Sequence, residues 1–491
     1  MRLSLRTALA LSLVAGAVPV AAAAQHPEPP RTQNSELRTQ NPELSAALAA
    51  RIDSLFAPFE KPGSPGCALG LVRDGRLVYA RGYGLASIEL GVPIAPTTVF
   101  DIGSTSKQVT ATAILLLERD GVLSLDDDVR RWVPELPDPG ARITVRHLLH
   151  HTSGLRDYID LLHASGVPVE AVTGPRHALE ILSRQRGVNF AAGAEYAYSN
   201  TGFFLLSVIV ERAGGRTLRA FADERIFRPL DMGRSFFLDD HAEPVPGKAS
   251  SYEPRRGGGF ALSSSNWEQT GDGAVQTTVL DLLAWDRNFS GGPVGDSALR
   301  AKLETPGRLN DGRAIDYGLG LVIDTYRGLR RVSHGGAWAG FRAELLRFPE
   351  ARTSVICLCN LSSSGPTGLA RRVADIVLAE RFTAPAPGPG GPRVTEPDSI
   401  ARRAPLPVSA YAGAYHSDEL LADWRVTAAG DSLRVRVGLV ESAVTRTAGD
   451  RFRSDLGTIT FERDAAGRVI AARLLTRGVR GLRLARVPES P

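Results

Sequence analysis

The stretch DIGSTSKQVT, from Asp101 to Thr110, contains one of only four lysines in a chain with 58 basic residues. Arginine occupies nearly all other basic positions, and arginine cannot release its proton in a protein. A buried lysine, in contrast, changes its pKa readily and can act as a base. Lys107 is therefore either a titratable amine that the chemistry needs or an ordinary residue on a helix surface.

The residues around Lys107 favour a role in chemistry. Apolar residues at helical spacing predict a helix from Thr105 to Arg119. If Ser104 opens this helix, Ser104 and Lys107 lie one turn apart on one face. A serine hydroxyl becomes a strong nucleophile only when a base takes its proton, which Lys107 could do. The free Ser104 N–H at the helix start could stabilise an oxyanion.

A second polar motif, Tyr198-Ser199-Asn200, precedes an apolar helix within FAAGAEYAYSNTGFFLLS. A tyrosine beside a lysine ammonium could ionise and act as a general base. Asn200 could orient the lysine amine and a substrate amide. The structural alternative is that Tyr198 is a half-buried aromatic residue and Asn200 a helix cap.

A third motif, His334-Gly335-Gly336, ends a predicted strand in RRVSHGGAWAGFRAELLRF. Two glycines there would let a substrate backbone pass close to the strand edge. The Ala337 N–H could be a second oxyanion donor. His334 could contact the substrate or shuttle a proton. The alternative is a β-bulge with a structural histidine.

Taken together, the motifs S-x-x-K, Y-x-N and H-G-G resemble those of the serine β-lactamase and penicillin-binding-protein superfamily, on its class C side. That side includes esterases, D-aminopeptidases and D-Ala-D-Ala carboxypeptidases. The resemblance extends from about Leu48 to Phe382 and includes ITVRHLLHHTSGL, IFRPLDMG, GDGAVQTTVLDLLAW and YGLGL. It implies an α+β fold in which an antiparallel sheet is flanked by a helical region.

The resemblance also implies a mechanism. Ser104 would attack a carbonyl carbon to form an acyl-enzyme, which water then hydrolyses. Lys107 and Tyr198 would share the general-base work, and which of them carries the proton stays open. The amides of Ser104 and Ala337 would form the oxyanion hole, and substrate binding would involve four further residues: Asn200, His334, Gly335 and Gly336. No cofactor or metal is expected.

One departure from the family pattern bears on the substrate. Penicillin-recognising relatives carry K-T-G where this chain has H-G-G, and a histidine is mostly neutral at pH 7. We therefore expect a hydrolase of small esters, amides or peptides with D-residues. A penicillin-interacting D-Ala-D-Ala carboxypeptidase or weak β-lactamase is the second hypothesis. A non-catalytic binding or sensor protein on the same fold is the third.

Other catalytic patterns are absent or incomplete. Three histidines could suggest zinc, but they lack an acidic residue at metal-site spacing, and we interpret them as part of a structural loop: His147, His150 and His151. No G-x-S-x-G motif encloses Ser104 or Ser153, which disfavours an α/β-hydrolase.

Composition changes along the chain divide it into five segments. A basic start, an apolar run and small residues before a cleavage site after Ala24 predict a signal peptide. A Pro/Gly-rich stretch, TAPAPGPGGPRVTEP, separates the motif-bearing region from short alternating strand patterns such as LRVRV. The predicted segments are a signal peptide (1–24), a polar linker (25–43), a serine hydrolase domain (44–383), a Pro/Gly-rich linker (384–404) and a small β-barrel-like C-terminal domain (405–491).

These features predict an exported protein, periplasmic or secreted, without an integral membrane segment after cleavage. Export permits a disulfide, and Cys67 is either packed as a free thiol or paired with Cys357 or Cys359. The net charge of +5 resides in the segment from Ala401 onward, where arginines alternate with apolar residues. That pattern indicates a solvated sheet face rather than a nucleic-acid surface. The expected partners are a small-molecule or peptide substrate and cell-envelope components.

Overall fold

A computed structural model of the protein describes residues 44–385 and 404–488. The predicted signal peptide (1–24), the polar linker (25–43) and nearly all of the predicted Pro/Gly linker lie outside the described residues. A single compact unit, Asn41–Pro491, includes every described residue. The described residues form an α+β region (residues 44–385) and a barrel (residues 404–488).

The α-helices lie mainly between the two ends of the α+β region. The described residues contain ten of them: α1 (Ala46–Phe56), α2 (Lys107–Arg119), α3 (Val145–Leu149), α4 (Tyr158–Ala164), α5 (Pro175–Ser183), α6 (Asn200–Gly214), α7 (Leu218–Ala222), α8 (Val279–Asn288), α9 (Ser297–Leu303) and α10 (Pro366–Val377).

The main sheet is antiparallel and has six strands in the order β10-β11-β12-β13-β1-β2. Its strands come from both ends of the α+β region: β1 (Cys67–Arg73), β2 (Arg76–Tyr83), β10 (Val322–Tyr326), β11 (Leu329–Trp338), β12 (Phe341–Phe348) and β13 (Thr353–Cys359). Because β1 pairs with β13, the first and last of these strands in chain order lie side by side in one sheet. This arrangement confirms the predicted fold class.

Seven further short strands form three small sheets. They are β3 (Leu85–Ser87), β4 (Val92–Pro93), β5 (Phe100–Asp101), β6 (Phe236–Phe237), β7 (Tyr252–Pro254), β8 (Phe260–Leu262) and β9 (Val275–Thr277). Strands β5, β9 and β6 form a small sheet that leads directly into the turn before α2. This places the Asp101–Thr110 stretch at the junction between sheet and helices.

Helix α2 lies in the centre of the α+β region. Residues 107–117 are all buried, so the helix has no solvated face in its first three turns. It packs against α6, whose residues 201–210 are also buried. Burial on all sides is the pattern expected of a central core helix. The prediction of a helix here is confirmed, but it begins at Lys107 rather than Thr105, because Gly103–Ser106 form a 3-10 turn.

A disulfide joins two adjacent strands of the main sheet, the first and the last of them in chain order. Cys67 and Cys359 lie opposite each other on β1 and β13, and their sulfur atoms are bonded. Cys357 is a buried free thiol beside them, with its Sγ 3.8 Å from that of Cys359. Of the alternatives that the sequence left open for Cys67, the structure therefore selects pairing with Cys359.

The C-terminal strands form a closed antiparallel barrel. They are β14 (Gly413–Ser417), β15 (Ala422–Ala429), β16 (Ser432–Val437), β17 (Val440–Ala448), β18 (Arg451–Ser454), β19 (Gly457–Arg463), β20 (Val469–Leu475) and β21 (Leu482–Val487). Along β16, leucine and valine are buried while the alternating arginines are exposed, as the LRVRV pattern predicted. Closure through β14 and β21 leaves the barrel without an unpaired edge.

The barrel packs on the helical part of the α+β region. The Trp424 indole N–H donates to the Ala164 carbonyl at the end of α4, over 2.8 Å. Arg156 forms an ion pair of 2.6 Å with Glu419, and both side chains are largely shielded from solvent. Nowhere in residues 44–385 or 404–488 does a helix have both the length and the apolar character needed to cross a bilayer.

Candidate active site

Ser104 projects from the 3-10 turn that precedes α2. Gly103 adopts a positive φ of 48°, a conformation that glycine tolerates best. The Asp101 carboxylate accepts a hydrogen bond of 2.7 Å from the Gly103 N–H and so fixes the turn. Within the turn, Ser104 alone remains partly accessible, while Gly103, Thr105 and Ser106 are buried. The turn thus presents one hydroxyl to the cavity described below.

Lys107 lies beneath this hydroxyl and is fully buried, which excludes the helix-surface alternative. Its Nζ lies 3.0 Å from Ser104 Oγ, 3.0 Å from Asn200 Oδ1 and 2.6 Å from the Asp272 carbonyl oxygen. The amide and carbonyl oxygens can only accept hydrogen bonds, so two of the lysine N–H groups are committed to them. The third direction, toward Ser104, can carry either an N–H or the lone pair of a neutral amine.

Burial shifts the titration of this cluster. Desolvation lowers the pKa of Lys107, while the nearby carboxyls of Asp272 and Asp157 oppose the shift. Burial raises the pKa of both carboxyls. The neutral amine of Lys107 is therefore easier to reach than in an exposed lysine.

Tyr198 stands beside the cluster with its ring facing two cations. The centre of the ring is 4.9 Å from Lys107 Nζ and 5.5 Å from the guanidinium carbon of Arg477. Burial raises the pKa of Tyr198, although a hydrogen bond with Ser104 opposes the shift. The phenol consequently stays protonated near neutral pH. Of the two bases that the sequence left open, the pKa shifts favour Lys107.

His334 lies in the middle of β11 and is held as a neutral ring. The predicted strand end at this motif is wrong, because β11 continues to Trp338 in regular register with β12. Its Nδ1 donates to the Gly335 carbonyl over 2.6 Å, and its Nε2 accepts from the Tyr317 hydroxyl over 3.0 Å. Burial, together with the charge of Lys107, lowers the pKa of His334 to about 3. The third motif therefore supplies a polar wall rather than a cation, and a proton-shuttling His334 would need a large rearrangement.

The glycines of the third motif have a packing role that the sequence did not reveal. A Cβ on Gly336 would overlap the carbonyl oxygen of Ile102, directly before the Ser104 turn. A Cβ on Gly103 would lie only 2.7 Å from the Ala337 nitrogen. The small residues let the backbone of β11 contact the backbone of the turn at Gly103–Ser106. Gly336 is thus required for this contact, while the passage of a substrate backbone along the strand edge stays a prediction.

A cavity of about 1020 Å³ opens over these groups. Seven of the eight site residues predicted from the sequence line it, and so does Arg477 of the barrel. The eighth, Lys107, is buried beneath Ser104. The amides of Ser104 and Ala337 border the same space. The structure therefore brings together residues that are separated by more than two hundred positions in the chain.

Several residues of the site were not predicted from the sequence. Asp157 accepts a hydrogen bond from the Asn200 N–H and caps α4, and Asp272 supplies a carbonyl to Lys107 and accepts from the Tyr158 hydroxyl. The segment GDGAVQ that contains Asp272 was noted only as a family feature. No local sequence signal marks Arg477.

The histidines that could have suggested zinc have other partners. His151 is buried; its Nδ1 accepts from the Ser199 N–H, and its ring lies 4.3 Å from that of Tyr198. Burial lowers the pKa of His151 well below its ordinary value. His147 belongs to the N-terminal cap of α3. The interpretation of this segment as a loop is wrong for His147, which lies in α3, and His150 ends that helix.

Comparison with known proteins places these features in a family. Residues 52–380 match the model of the Beta-lactamase family. A D-aminopeptidase of Gluconobacter oxydans is 32% identical over 331 residues, which are 67% of this chain and 62% of the relative. Penicillin-binding protein 4* of Bacillus subtilis is 30% identical over 58% of this chain and 66% of its own length. The chain thus spans somewhat under two thirds of the D-aminopeptidase.

Solved structures share the fold. The octameric penicillin-binding protein homologue from Pyrococcus abyssi superposes with a TM-score of 0.60 at 23% identity, covering 90% of this chain and 99% of its own. D-amino acid amidase from Ochrobactrum anthropi SV3 superposes with a TM-score of 0.57 at 23% identity, covering 68% of this chain and all of its own. The matched motifs, fold and residue range together show that the chain belongs to the Beta-lactamase family.

Proposed function

We propose that the protein is an exported serine hydrolase that cleaves amides, peptides or small esters through an acyl-enzyme on Ser104. The observation that carries this proposal is the fully buried Lys107 amine, 3.0 Å from the Ser104 hydroxyl, with its two other directions occupied by acceptors. Burying a charged lysine costs free energy, so burial lowers the pKa of Lys107. A lysine with a lowered pKa can take up the serine proton as a general base.

The first step transfers the Ser104 proton to Lys107 while Oγ bonds to the substrate carbonyl carbon. The amides of Ser104 and Ala337 then donate hydrogen bonds to the oxyanion. Asn200 holds the lysine amine in place through its side-chain oxygen. The leaving group departs with one proton.

Tyr198 suits the donation of that proton. Its phenol remains protonated because burial raises its pKa, and it adjoins both Ser104 and Lys107. The proton held on Lys107 then returns to the phenoxide. Water repeats the sequence on the acyl-enzyme, with the proton of the attacking water taken by the same pair.

The proposed substrate class rests on relatives and on the third motif. The relatives include D-aminopeptidases, and one structural neighbour is a D-amino acid amidase. Neutral His334 offers no cation where penicillin-recognising relatives have lysine. We therefore rank compounds of D-amino acids above β-lactams. The similarity to penicillin-binding protein 4* keeps a D,D-carboxypeptidase as the second candidate.

Export is supported by two features. The first residues have the composition of a signal peptide. The Cys67–Cys359 disulfide fits an oxidising compartment such as the periplasm or the exterior. Cell-envelope peptides are substrates of matching chemistry in that location.

Covalent labelling tests the proposal. The mature protein is incubated with a fluorophosphonate and, separately, with a penicillin, and intact mass is measured. We expect one fluorophosphonate adduct, absent from Ser104→Ala, and a loss of ester turnover of about 10⁴-fold or more in that variant. A penicillin adduct would move the assignment toward the D,D-carboxypeptidase.

Lys107→Arg provides a second arm, because arginine keeps the charge but cannot accept the serine proton. It should be as inactive as Ser104→Ala. Lys302→Arg is the matched control, since Lys302 is exposed and only pairs with Glu118. Equal labelling of wild type and Ser104→Ala, or no labelling by either probe, would contradict the assignment and favour a binding protein.

A further inference from the structure

The loop between β20 and β21, residues 476–481, leaves the barrel and rests on the α+β region beside the cavity. The Gly478 carbonyl accepts hydrogen bonds from the Asp157 N–H and from the Asn189 side chain, each over 2.9 Å. The Arg480 N–H donates in return to Asn189 Oδ1 over 2.8 Å. One bond between backbones and two bonds of the Asn189 side chain therefore join the loop to the α+β region at this point.

The base of the loop is fixed by a second set of contacts. Asp160 Oδ2 accepts from the Thr476 hydroxyl and from the Gly478 N–H. The Val479 N–H donates to the Thr476 hydroxyl, which closes the turn. A Cβ on Gly478 would overlap Asp157, so glycine permits this close approach. The residue at position 477 is thereby held over the site by bonds on both of its sides.

Arg477 is the residue that this anchored turn presents. Its side chain lines the cavity, and its guanidinium carbon lies 5.5 Å from the centre of the Tyr198 ring. The side chain is exposed and has no hydrogen bond or ion pair with any of the described residues. An arginine whose five donors are free at the edge of a cavity is suited to bind a carboxylate.

The charges around Arg477 point the same way. Lys107 directs its hydrogen bonds to protein acceptors and to Ser104, and His334 is neutral, so neither offers a free cation to a substrate. The two carboxyls that line the cavity, Asp101 and Asp272, are buried and engaged. Two other cations, Lys248 and Arg342, line the same space.

We propose that Arg477, supplied by the barrel, is a specificity-determining residue that binds an anionic group of the substrate, such as a carboxylate, close to the reacting carbonyl. The inference rests on the proposed serine hydrolase activity and narrows its substrate class. Substrates with a carboxylate near the scissile bond are favoured over neutral ones. Among the proposed substrates, this moves the preference from amides of free D-amino acids, whose ammonium group meets like charge, toward peptides that end in a carboxylate near the scissile bond, which are the substrates of the second candidate, a D,D-carboxypeptidase. The barrel thereby contributes directly to substrate selection.

Chromogenic esters test this proposal on the full mature chain. The neutral ester is p-nitrophenyl butyrate. Mono-p-nitrophenyl succinate carries a carboxylate on the acyl side, and 3-carboxy-4-nitrophenyl butyrate carries one on the leaving group. We expect at least one anionic ester to have a higher kcat/KM than the neutral ester, and Arg477→Gln to lower that preference about tenfold. Added salt should weaken the preference, since Arg477 is exposed.

Three variants give the result its meaning. Arg477→Lys keeps the charge and should retain part of the preference. Arg436→Gln, an equal charge change on the exposed barrel wall away from the cavity, should leave it unaltered. Arg342→Gln examines the competing cation. Loss of the preference in Arg342→Gln with retention in Arg477→Gln would overturn the assignment.

The inference and the proposed function fail in different ways. Ser104-dependent hydrolysis without any preference for the anionic esters, or with a preference that Arg477→Gln leaves within about twofold, overturns the role of Arg477 alone. Absence of Ser104-dependent turnover of all three esters overturns the proposed hydrolase, and the inference with it.

Discussion

The Ser104–Lys107 turn and the Arg477 loop border the same cavity but are built in opposite ways. Lys107 is fully buried, and its amine is surrounded by Ser104, Asn200 and the Asp272 carbonyl. Arg477 is exposed and has no hydrogen bond or ion pair within residues 44–385 and 404–488, and the backbone on either side of it is anchored. The buried amine gains a shifted pKa, whereas the exposed guanidinium keeps its charge and its free donors.

This difference separates two tasks. A base must be poised by its protein surroundings, so the amine of Lys107 is held by fixed acceptors on two sides. A binding residue must keep its donors for the substrate, so only its position is fixed. Each device also depends on one glycine that allows a close approach, Gly336 for the turn and Gly478 for the loop. Substituting either glycine should therefore disturb one of the two structures while leaving the other in place.

Gly336→Ala should have the largest effect on turnover and stability, because the added Cβ would overlap the Ile102 carbonyl and push β11 away from the turn that carries Ser104. We expect turnover to fall about a hundredfold through misplacement of reacting groups. The free energy of unfolding should fall by about 2 kcal/mol. Ester kinetics and urea unfolding measure the two effects. Gly368→Ala, on an open face of α10, is the control and should retain both.

Gly478→Ala should have a smaller effect, confined to the loop. The added Cβ would overlap Asp157, so the loop must lift and carry Arg477 away from the cavity. We expect kcat/KM for the preferred anionic ester to fall about tenfold, with little change in Tm. Gly233→Ala, where nothing lies near the added Cβ, is the matched control. A fall in turnover as large as that of Gly336→Ala would show that the loop supports the catalytic turn itself.

The pH dependence of kcat/KM should differ least between wild type and Arg477→Gln, and it distinguishes Lys107 from Tyr198 as the base. In the proposed mechanism the base is the neutral amine of Lys107, so kcat/KM should rise as pH passes upward through the pKa of Lys107, and be lost below it. Since burial lowers that pKa, the rise should occur below the ordinary lysine value of about 10.4. Arg477→Gln should not move its midpoint. If Tyr198 were the base, removing Arg477 would raise the pKa of Tyr198 and move the midpoint upward.

The sequence predicted the parts of the site that lie within short motifs. Ser104 and Lys107 are three residues apart, so their proximity follows from one helical turn. It also predicted Tyr198, Asn200 and Ala337 through a family pattern, and the structure brings all of them to one cavity. It did not reveal that Gly336 is needed for the contact with Ile102, because Ile102 is more than two hundred residues away in the chain.

By itself, the sequence determined the fold class, the order of the motifs and the alternating strands of the C-terminal region, because period-two and helical patterns and motif spacing are local properties. Only the tertiary structure decided the burial of Lys107, the pairing of Cys67 with Cys359 and the neutral state of His334. It also decided that a barrel arginine reaches the cavity, since that depends on how two distant segments pack. Burial, pKa shifts and contacts between domains arise from groups that the chain brings together only on folding.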